Sequence, residues 1–323
     1  MIRVLFLLSL VWLTGCYESE FVDMITDVAS DSDTLSDVVQ SADSAPSTDL
    51  SEPGSDAETD SGFDLSECFS GDYIIETNAD TVGFSEYPCI TGSGSLQITE
   101  TSLESVSLPK LRWIGGSFEI MGNEQLTIFE APLLNEIGEQ LIIENDYSLQ
   151  SVVMPGLSAI GSEVVVSVCT ELSTLQFLSG ISEIHGDLTI SYLTVSNLSG
   201  LDHLTKVDGK LQITQNWWLE SFAGLEKLEV VGEVFYAIEN SMLMSLAALE
   251  SLVSVGEFPS EEWTYDVYFD SCSSLPYCEI CALAAHLSFD AQFSIYYNGS
   301  DDCGSSSGTY WGVEALNCEA ASD

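Results

Sequence analysis

From Leu96 onward the chain repeats itself about every 23 residues, and this periodicity restricts its possible folds more than any other feature. A glycine or polar turn followed by an apolar-x-apolar core recurs at Gly116 to Ile120, Glu139 to Ile143, Ser162 to Val166, Gly186 to Ile190, Gly209 to Ile213 and Glu233 to Ala237. The leading apolar position falls at Leu96, Phe118, Leu141, Val164, Leu188, Leu211 and Phe235, spaced 22 to 24 residues apart. An echo follows at Val267, beyond an insertion around Pro259 to Trp263. Other columns keep step. One comprises Leu103, Leu126, Leu149, Leu172, Val195, Leu219, Leu243 and Leu275. Another comprises Leu111, Leu134, Leu157, Ile181, Leu204, Leu228 and Leu252, each followed three residues later by Ile114, Ile137, Ile160, Ile184, Val207, Val231 or Val255. Pro109, Pro132 and Pro155 mark a corner between faces, and Asn123, Asn216 and Asn240 share a column where their amides reach turn backbone. Columns of this kind mean one coil per repeat, each burying its apolar residues against its neighbours. The expected fold is mainly β, a parallel β-solenoid. Eight coils at about 4.8 Å per strand make a rod roughly 40 Å long.

An open solenoid exposes apolar surface and strand edges, so its ends need caps. After Leu275-Pro276-Tyr277 breaks the repeat, Cys278 to Leu287 reads as a short helix and Gln292 to Tyr297 as a strand. Cys278, Cys281, Cys303 and Cys318 cluster here and are expected to form two bridges, whose pairing stays open because four cysteines allow three connectivities. Cys278-Glu279-Ile280-Cys281 has redox-motif spacing, but in an exported chain with other cysteines nearby a structural staple is expected. Cys169 and Cys272 stand in the asparagine column, four coils apart, and read as free buried thiols.

The opening of the repeat region, Cys68-Phe69-Ser70-Gly71-Asp72-Tyr73-Ile74-Ile75 and then Cys89-Ile90-Thr91-Gly92 before the Leu96-Gln97-Ile98 strand, resembles the receptor L-domain. That family is a right-handed β-solenoid related to leucine-rich repeats, found in hormone-receptor ectodomains and in bacterial surface lipoproteins. The resemblance covers about residues 68–300. It implies a first coil closed by a disulfide, which it carries onto Cys68 and Cys89. It is specific for architecture and weak for function. This chain has one solenoid, with neither the cysteine-rich module nor the kinase of the receptors, so hormone binding is not carried over.

The amino terminus speaks to location. The apolar run Val4 to Leu13 has the length of a signal-peptide core and is too short to span a bilayer. Leu13-Thr14-Gly15-Cys16 resembles the bacterial lipobox, which implies cleavage before Cys16, acylation of its thiol and a lipid anchor in the bilayer. The alternative is an ordinary secretory signal with Cys16 incidental. Tyr17, rather than aspartate, follows the cysteine, which by analogy favours the outer membrane. From Tyr17 to Glu67 the chain carries fifteen acidic residues and no Lys or Arg. Such a segment cannot bury enough apolar surface to offset the entropy of ordering, and it reads as a disordered tether with a reach of roughly 40 Å. The expected organisation is a lipoprotein signal peptide at 1–15, a lipidated cysteine and acidic tether at 16–67, a capped solenoid at 68–304 and a tail at 305–323.

Six basic residues against 52 acidic ones give a formal net charge of −46. Nucleic acid is therefore excluded as a partner, and anionic headgroups are disfavoured. His185, His203 and His286 are scattered, and HExxH, P-loop and GxGxxG motifs are all missing. No enzyme, metal site or cofactor is expected. Binding is the remaining class. Among outward-facing strand positions, Ile142, Val165, Tyr236, Ile238 and Tyr268 are apolar or aromatic where polar residues are the rule. They mark either a contact surface or a patch covered by the insertion at Gly256 to Thr264. Trp217 and Trp218, just past a strand, either stack on a sugar ring or partner protein or pack on their own solenoid. The expected function is protein or glycan recognition at the cell surface. The alternative is a structural envelope protein that packs against copies of itself, and the oligomeric state stays open.

Overall fold

A computed structural model of the chain describes residues 65–256, 266–287 and 291–299, together with the backbone of 308–310. Cys16, the acidic segment, the insertion after Gly256, Cys303 and Cys318 lie outside the described residues. The chain divides into two units, Met1–Asp60 and Ser61–Asp323, and everything described below belongs to the second.

Ten parallel strands form the principal wall of a β-solenoid: β1 Tyr73–Ile75, β2 Leu96–Thr99, β3 Phe118–Met121, β4 Leu141–Glu144, β5 Val164–Ser167, β6 Leu188–Ser191, β7 Leu211–Thr214, β8 Phe235–Ile238, β9 Val267–Asp270 and β10 Phe293–Tyr296. An eleventh strand, β11 Gly308–Tyr310, closes the wall antiparallel to β10. The wall is longer than the eight coils expected, because β1 and β10 join it in register. Pairing runs unshifted through the leading column, Leu96 to Phe118 to Leu141 to Val164 to Leu188 to Leu211 to Phe235 to Val267 to Phe293. Each of these residues is buried, as is the residue two places on, while the residue between faces outward. A strand's period of two thus turns the apolar-x-apolar motif into one dry face. Burying a Leu- or Phe-sized side chain contributes roughly 1.5–3 kcal/mol, which is how a repeat too small to fold alone is stabilised by stacking.

The chain turns inward just after each strand. Glu100, Gly122, Asn145, Val168, Tyr192, Gln215, Glu239, Ser271 and Tyr297, the residues after β2 to β10, all have φ between 50° and 68°. Only Gly122 and Asn145 are residue types suited to this left-handed region. The stacked ladder imposes the conformation on the rest.

The next residue in each coil enters the core, forming the column Thr101, Asn123, Asp146, Cys169, Leu193, Asn216, Asn240, Cys272 and Asn298. Asn216 accepts from Leu193 N–H at 3.0 Å and donates to the Ile190 carbonyl at 2.9 Å. Asn123, Asn240 and Asn298 make the same pair of bonds to the coil before them. The expected role of the asparagine column is therefore what the structure shows. Cys169 and Cys272 are free and buried in it, each with its Sγ near the carbonyl an asparagine would reach, at 3.8 and 3.4 Å. Burial pushes both thiols up to about 12.

Two further faces complete each coil. One is a five-stranded sheet (Phe69–Ser70, Cys89–Thr91, Trp113–Ile114, Glu136–Ile137 and Ala159–Ile160) followed by a separate four-stranded sheet (Glu183–Ile184, Lys206–Val207, Val230–Val231 and Ser254–Val255). The other face holds the strands Ser105–Ser107, Ile128–Glu130 and Ser151–Val153 in the first half, and 3-10 turns at Gln176–Leu178 and Ala247–Leu249 in the second. At the amino end, helix α1 (Asn78–Phe84) starts on a capping box between Thr77 and Asp80. It brings Phe84 against Phe69, Tyr73 and Tyr87. A Cys68–Cys89 disulfide closes this first coil. At the far end, α2 (Tyr277–Ala284) buries Tyr277, Ile280, Leu283 and Ala284. It begins one residue earlier and ends three earlier than the sequence suggested. Cys278 and Cys281 are both disulfide-bonded.

Candidate functional site

The sequence-derived candidates fall into three places. Ile142 and Val165 are register partners on β4 and β5 and lie half-buried side by side on the wall's outer surface. Tyr236 and Tyr268 are register partners on β8 and β9, with rings stacked at 4.8 Å between centroids. Ile238 shares β8 with Tyr236, two residues on, on the same outer surface. Between the two pairs stand Thr189 and Gln212, polar rungs of the same column joined at 3.4 Å. The outer wall is thus two small apolar patches separated by polar side chains, not one continuous surface. Burial, with the neighbouring Tyr268 and Glu233, pushes the Tyr236 hydroxyl well above the usual phenol range. Burial likewise raises the Asp270 carboxyl at the end of β9.

Trp217 and Trp218 lie elsewhere, on the corner that follows β7, and are 51% and 58% exposed. Their position follows from the local backbone. Gln215 takes the left-handed turn and Asn216 plunges into the ladder, so the next two side chains are carried outward. Each tryptophan is thus about half covered by its own solenoid and half in solvent.

The corner also holds aromatics that the sequence reading passed over. Tyr192, the left-handed residue after β6, meets Trp217 edge to face at 5.8 Å. Tyr147, after β4, is 52% exposed, and Met242 and Met244, after β8, are exposed as well. The signal available was positional. Tyr147, Trp217 and Met242 come one or two residues after the ladder column, where a side chain points to solvent whatever its type. Beside the rings, Gln215 donates from Nε2 to the Glu239 carboxylate at 3.0 Å, giving the corner an amide and a carboxylate along its flank.

Among the described residues no group of three or more His, Cys, Asp or Glu is placed to hold a metal ion, and no helix is long and apolar enough to cross a membrane. The most perturbed carboxyl, Asp146, sits in the core ladder rather than in a cleft. Burial raises it to about 6 against the bond from Asn123 N–H, and its Oδ2 lacks a partner among the described residues. Asp208 is held below the ordinary carboxylate range by hydrogen bonds from Lys206 and from His185. Asp208 pairs with Lys206 at 2.7 Å and His185 at 3.0 Å on the solenoid surface, and Asp146 lies beside the buried Cys169 thiol.

No protein-family model matches the chain, and no solved structure matches it. Among curated proteins, the chain is similar to Protein ecm33 of Aspergillus fumigatus, with 29% identity over 147 residues. The match takes in 46% of this chain and 35% of the relative, so the chain spans about a third of the curated protein it resembles. That relative is fungal, and the likeness lends no support to the bacterial anchor read at Cys16.

Proposed function

We propose that the chain is a non-enzymatic recognition protein, exported and held at the cell surface, which makes its contacts through the corner built by Tyr192, Trp217 and Trp218. The observation that carries this reading is the exposure of Trp217 and Trp218 on a rigid β scaffold, with the half-buried Tyr192 edge to face against Trp217. Large rings in solvent are costly to leave uncovered and supply much of the binding energy at contact sites. They flank an amide–carboxylate pair able to satisfy polar groups on a partner. The groups pushed furthest, Asp146, Cys169, Tyr236 and Cys272, are core or wall residues raised chiefly by burial, which fits binding better than catalysis. Export and lipid anchoring at Cys16 are part of the proposal and rest on the leader sequence.

The test pairs location with contact. Antibody labelling of intact cells, compared with permeabilised ones, is expected to detect the solenoid without permeabilisation. Arrays of surface glycans and purified surface proteins, probed with the exported chain, are expected to yield a ligand. Its binding should fall at least tenfold in a W217A/W218A double variant whose stability moves by less than about 0.5 kcal/mol, as for exposed positions generally. Binding that ignores both tryptophans, or labelling only after permeabilisation, would overturn the reading.

A further inference from the structure

Among the described residues, coil is sealed to coil by backbone hydrogen bonds along the second face of the solenoid except at one junction. On one side of it, Ser158 N–H donates to the Asn135 carbonyl and Gly161 N–H to the Ile137 carbonyl, both at 2.9 Å. On the other side, Thr205 N–H donates to Ser182 and Asp208 N–H to Ile184, both at 2.8 Å. The equivalent bonds across the junction, from Ser182 N–H to Ser158 and from His185 N–H to Ile160, do not form, and the five-stranded and four-stranded sheets end against each other there. A cleft of about 290 Å³ lies over this seam, lined by Ser158, Ala159 and Gly161 from one coil and Glu183 and His185 from the next, with Glu136 beside them.

The seam has a steric cause. Gly115, Gly138 and Gly161 stack in one corner column. A Cβ at Gly138 would stand 2.2 Å from the Gly115 carbonyl oxygen, and one at Gly161 2.0 Å from that of Gly138. The next residue in the column is His185, whose Cβ has no room above Gly161 at that spacing. Beyond it the corner is of another kind, with Asp208 standing over His185 at 3.0 Å and the ladder intact. The principal wall pairs without interruption across the same junction, from Val164–Leu188 to Ser167–Ser191. The junction is therefore a wedge, closed at the wall and open at this face.

The lips of the wedge define its ligand. One offers the carbonyls of Ser158 and Ile160, the other the N–H groups of Ser182 and His185. An occupant must donate to the first and accept from the second, and a hydroxyl does both through one oxygen. A peptide strand does not fit, because it needs a full strand spacing of about 4.8 Å on each side, while the wall holds these coils a single spacing apart. An anion is disfavoured by Glu136 and Glu183 at the cleft and by the net charge of −46. Those carboxylates accept hydrogen bonds from further hydroxyls. We propose that the seam at Ala159–Glu183 is a saccharide-binding site that takes a neutral, polyhydroxylated sugar residue. This rests on reading the solenoid as a recognition protein, and adds a contact distinct from the tryptophan corner.

The experiment is titration calorimetry of the full chain with neutral gluco- and chito-oligosaccharides, with an oligogalacturonate as the acidic control. Binding of a neutral oligosaccharide and none of the acidic one is expected. A159W, which fills the cleft from an exposed lining position, should weaken that binding at least tenfold. H185G, which restores the glycine column, should weaken it likewise and protect the amides of residues 182 and 185 from hydrogen exchange. Absence of neutral-sugar binding at millimolar concentration, or binding that survives A159W, overturns the proposal. Sugar binding lost in W217A/W218A yet retained in A159W would overturn the seam alone and leave the function proposed for the corner standing.

Discussion

Between Ser105 and Val153 the third face of the solenoid is a small parallel sheet, while between Gln176 and Leu249 the same face is built of turns. The first arrangement satisfies its backbone by pairing coil with coil, as Ser105, Ile128 and Ser151 do. The second keeps some pairing, from Leu198 N–H to the Ala223 carbonyl at 2.7 Å and at the Ser221–Ser245 bridge, and adds its own side chains. Asn197 accepts from Ser199 N–H, Asp202 from Gly200 N–H and Glu226 from Gly224 N–H. Both obey the requirement that buried backbone groups find partners. What the two halves share is the principal wall, with its unshifted register and its left-handed corner. A coil is thus free to change length and conformation on its other faces as long as the wall strand keeps step. The seam at His185 falls where one style of coil gives way to the other.

On this third face, the largest effect that should separate the halves is at glycine. Gly200 and Gly224 have φ of 114° and 111°, and a Cβ there would lie 2.3 Å from the Leu175 carbonyl carbon or 2.2 Å from the Leu198 oxygen. G200A is expected to cost about 3 kcal/mol, combining a disallowed backbone with a displaced coil. In the sheet-style half, the Cβ of G156A meets only the Leu134 oxygen at 3.2 Å, and the cost should be about 1 kcal/mol or less. Equal losses in chemical denaturation would mean that the two styles are equally tolerant, and the comparison would fail.

A smaller effect probes the core ladder. Asp146 occupies an asparagine position with its carboxyl raised to about 6. A carboxyl raised on folding contributes stability that is fully present below its unfolded value near 4 and is lost as the pH climbs through its folded value. D146N supplies the missing donor toward the Ile120 carbonyl at every pH. Its advantage over the parent should be slight at pH 4 and reach about 3 kcal/mol at most above pH 7, from about two pKa units at 1.36 kcal/mol each. An advantage independent of pH would show that ionisation of Asp146 is not the cause.

The smallest expected effect sharpens what the halves have in common. Val168 is β-branched yet has φ of 53°. V168G should relieve strain worth about 1 kcal/mol, offset in part by the added freedom of the unfolded chain. G122V, at the same corner of a sheet-style coil, should lose a similar amount. A neutral result at both positions would mean that the ladder does not strain its corners.

The wall was legible in the sequence because every coil spends two core-facing side chains on it, and Leu188 and Ile190 cannot be read as anything but an inward pair. The first disulfide was legible through family resemblance alone. The left-handed corner was not, since Glu100, Tyr192 and Ser271 share a backbone state that none of them prefers. It is set by hydrogen bonds to neighbouring coils, which a local window of sequence does not contain. Trp217 and Trp218 were found by residue type. Tyr147 was missed because its exposure depends on coil position, and the half-buried Tyr192 because its contact with Trp217 joins two coils. The seam left a trace that went unread, a glycine column at residues 115, 138 and 161 that ends in histidine.

One consequence of that seam is mechanical. At every other described junction along the second face, parting two coils means breaking bonds there as well as in the wall, whereas at His185 only the wall and the remaining side of the core resist. The stack is built like a book with an intact spine at β5 and β6 and one pair of pages left unglued. Bending under load, or fraying ahead of global unfolding, should therefore begin between Ile160 and Glu183, dividing the rod into an amino-terminal block of sheet-style coils and a carboxy-terminal block of turn-style ones.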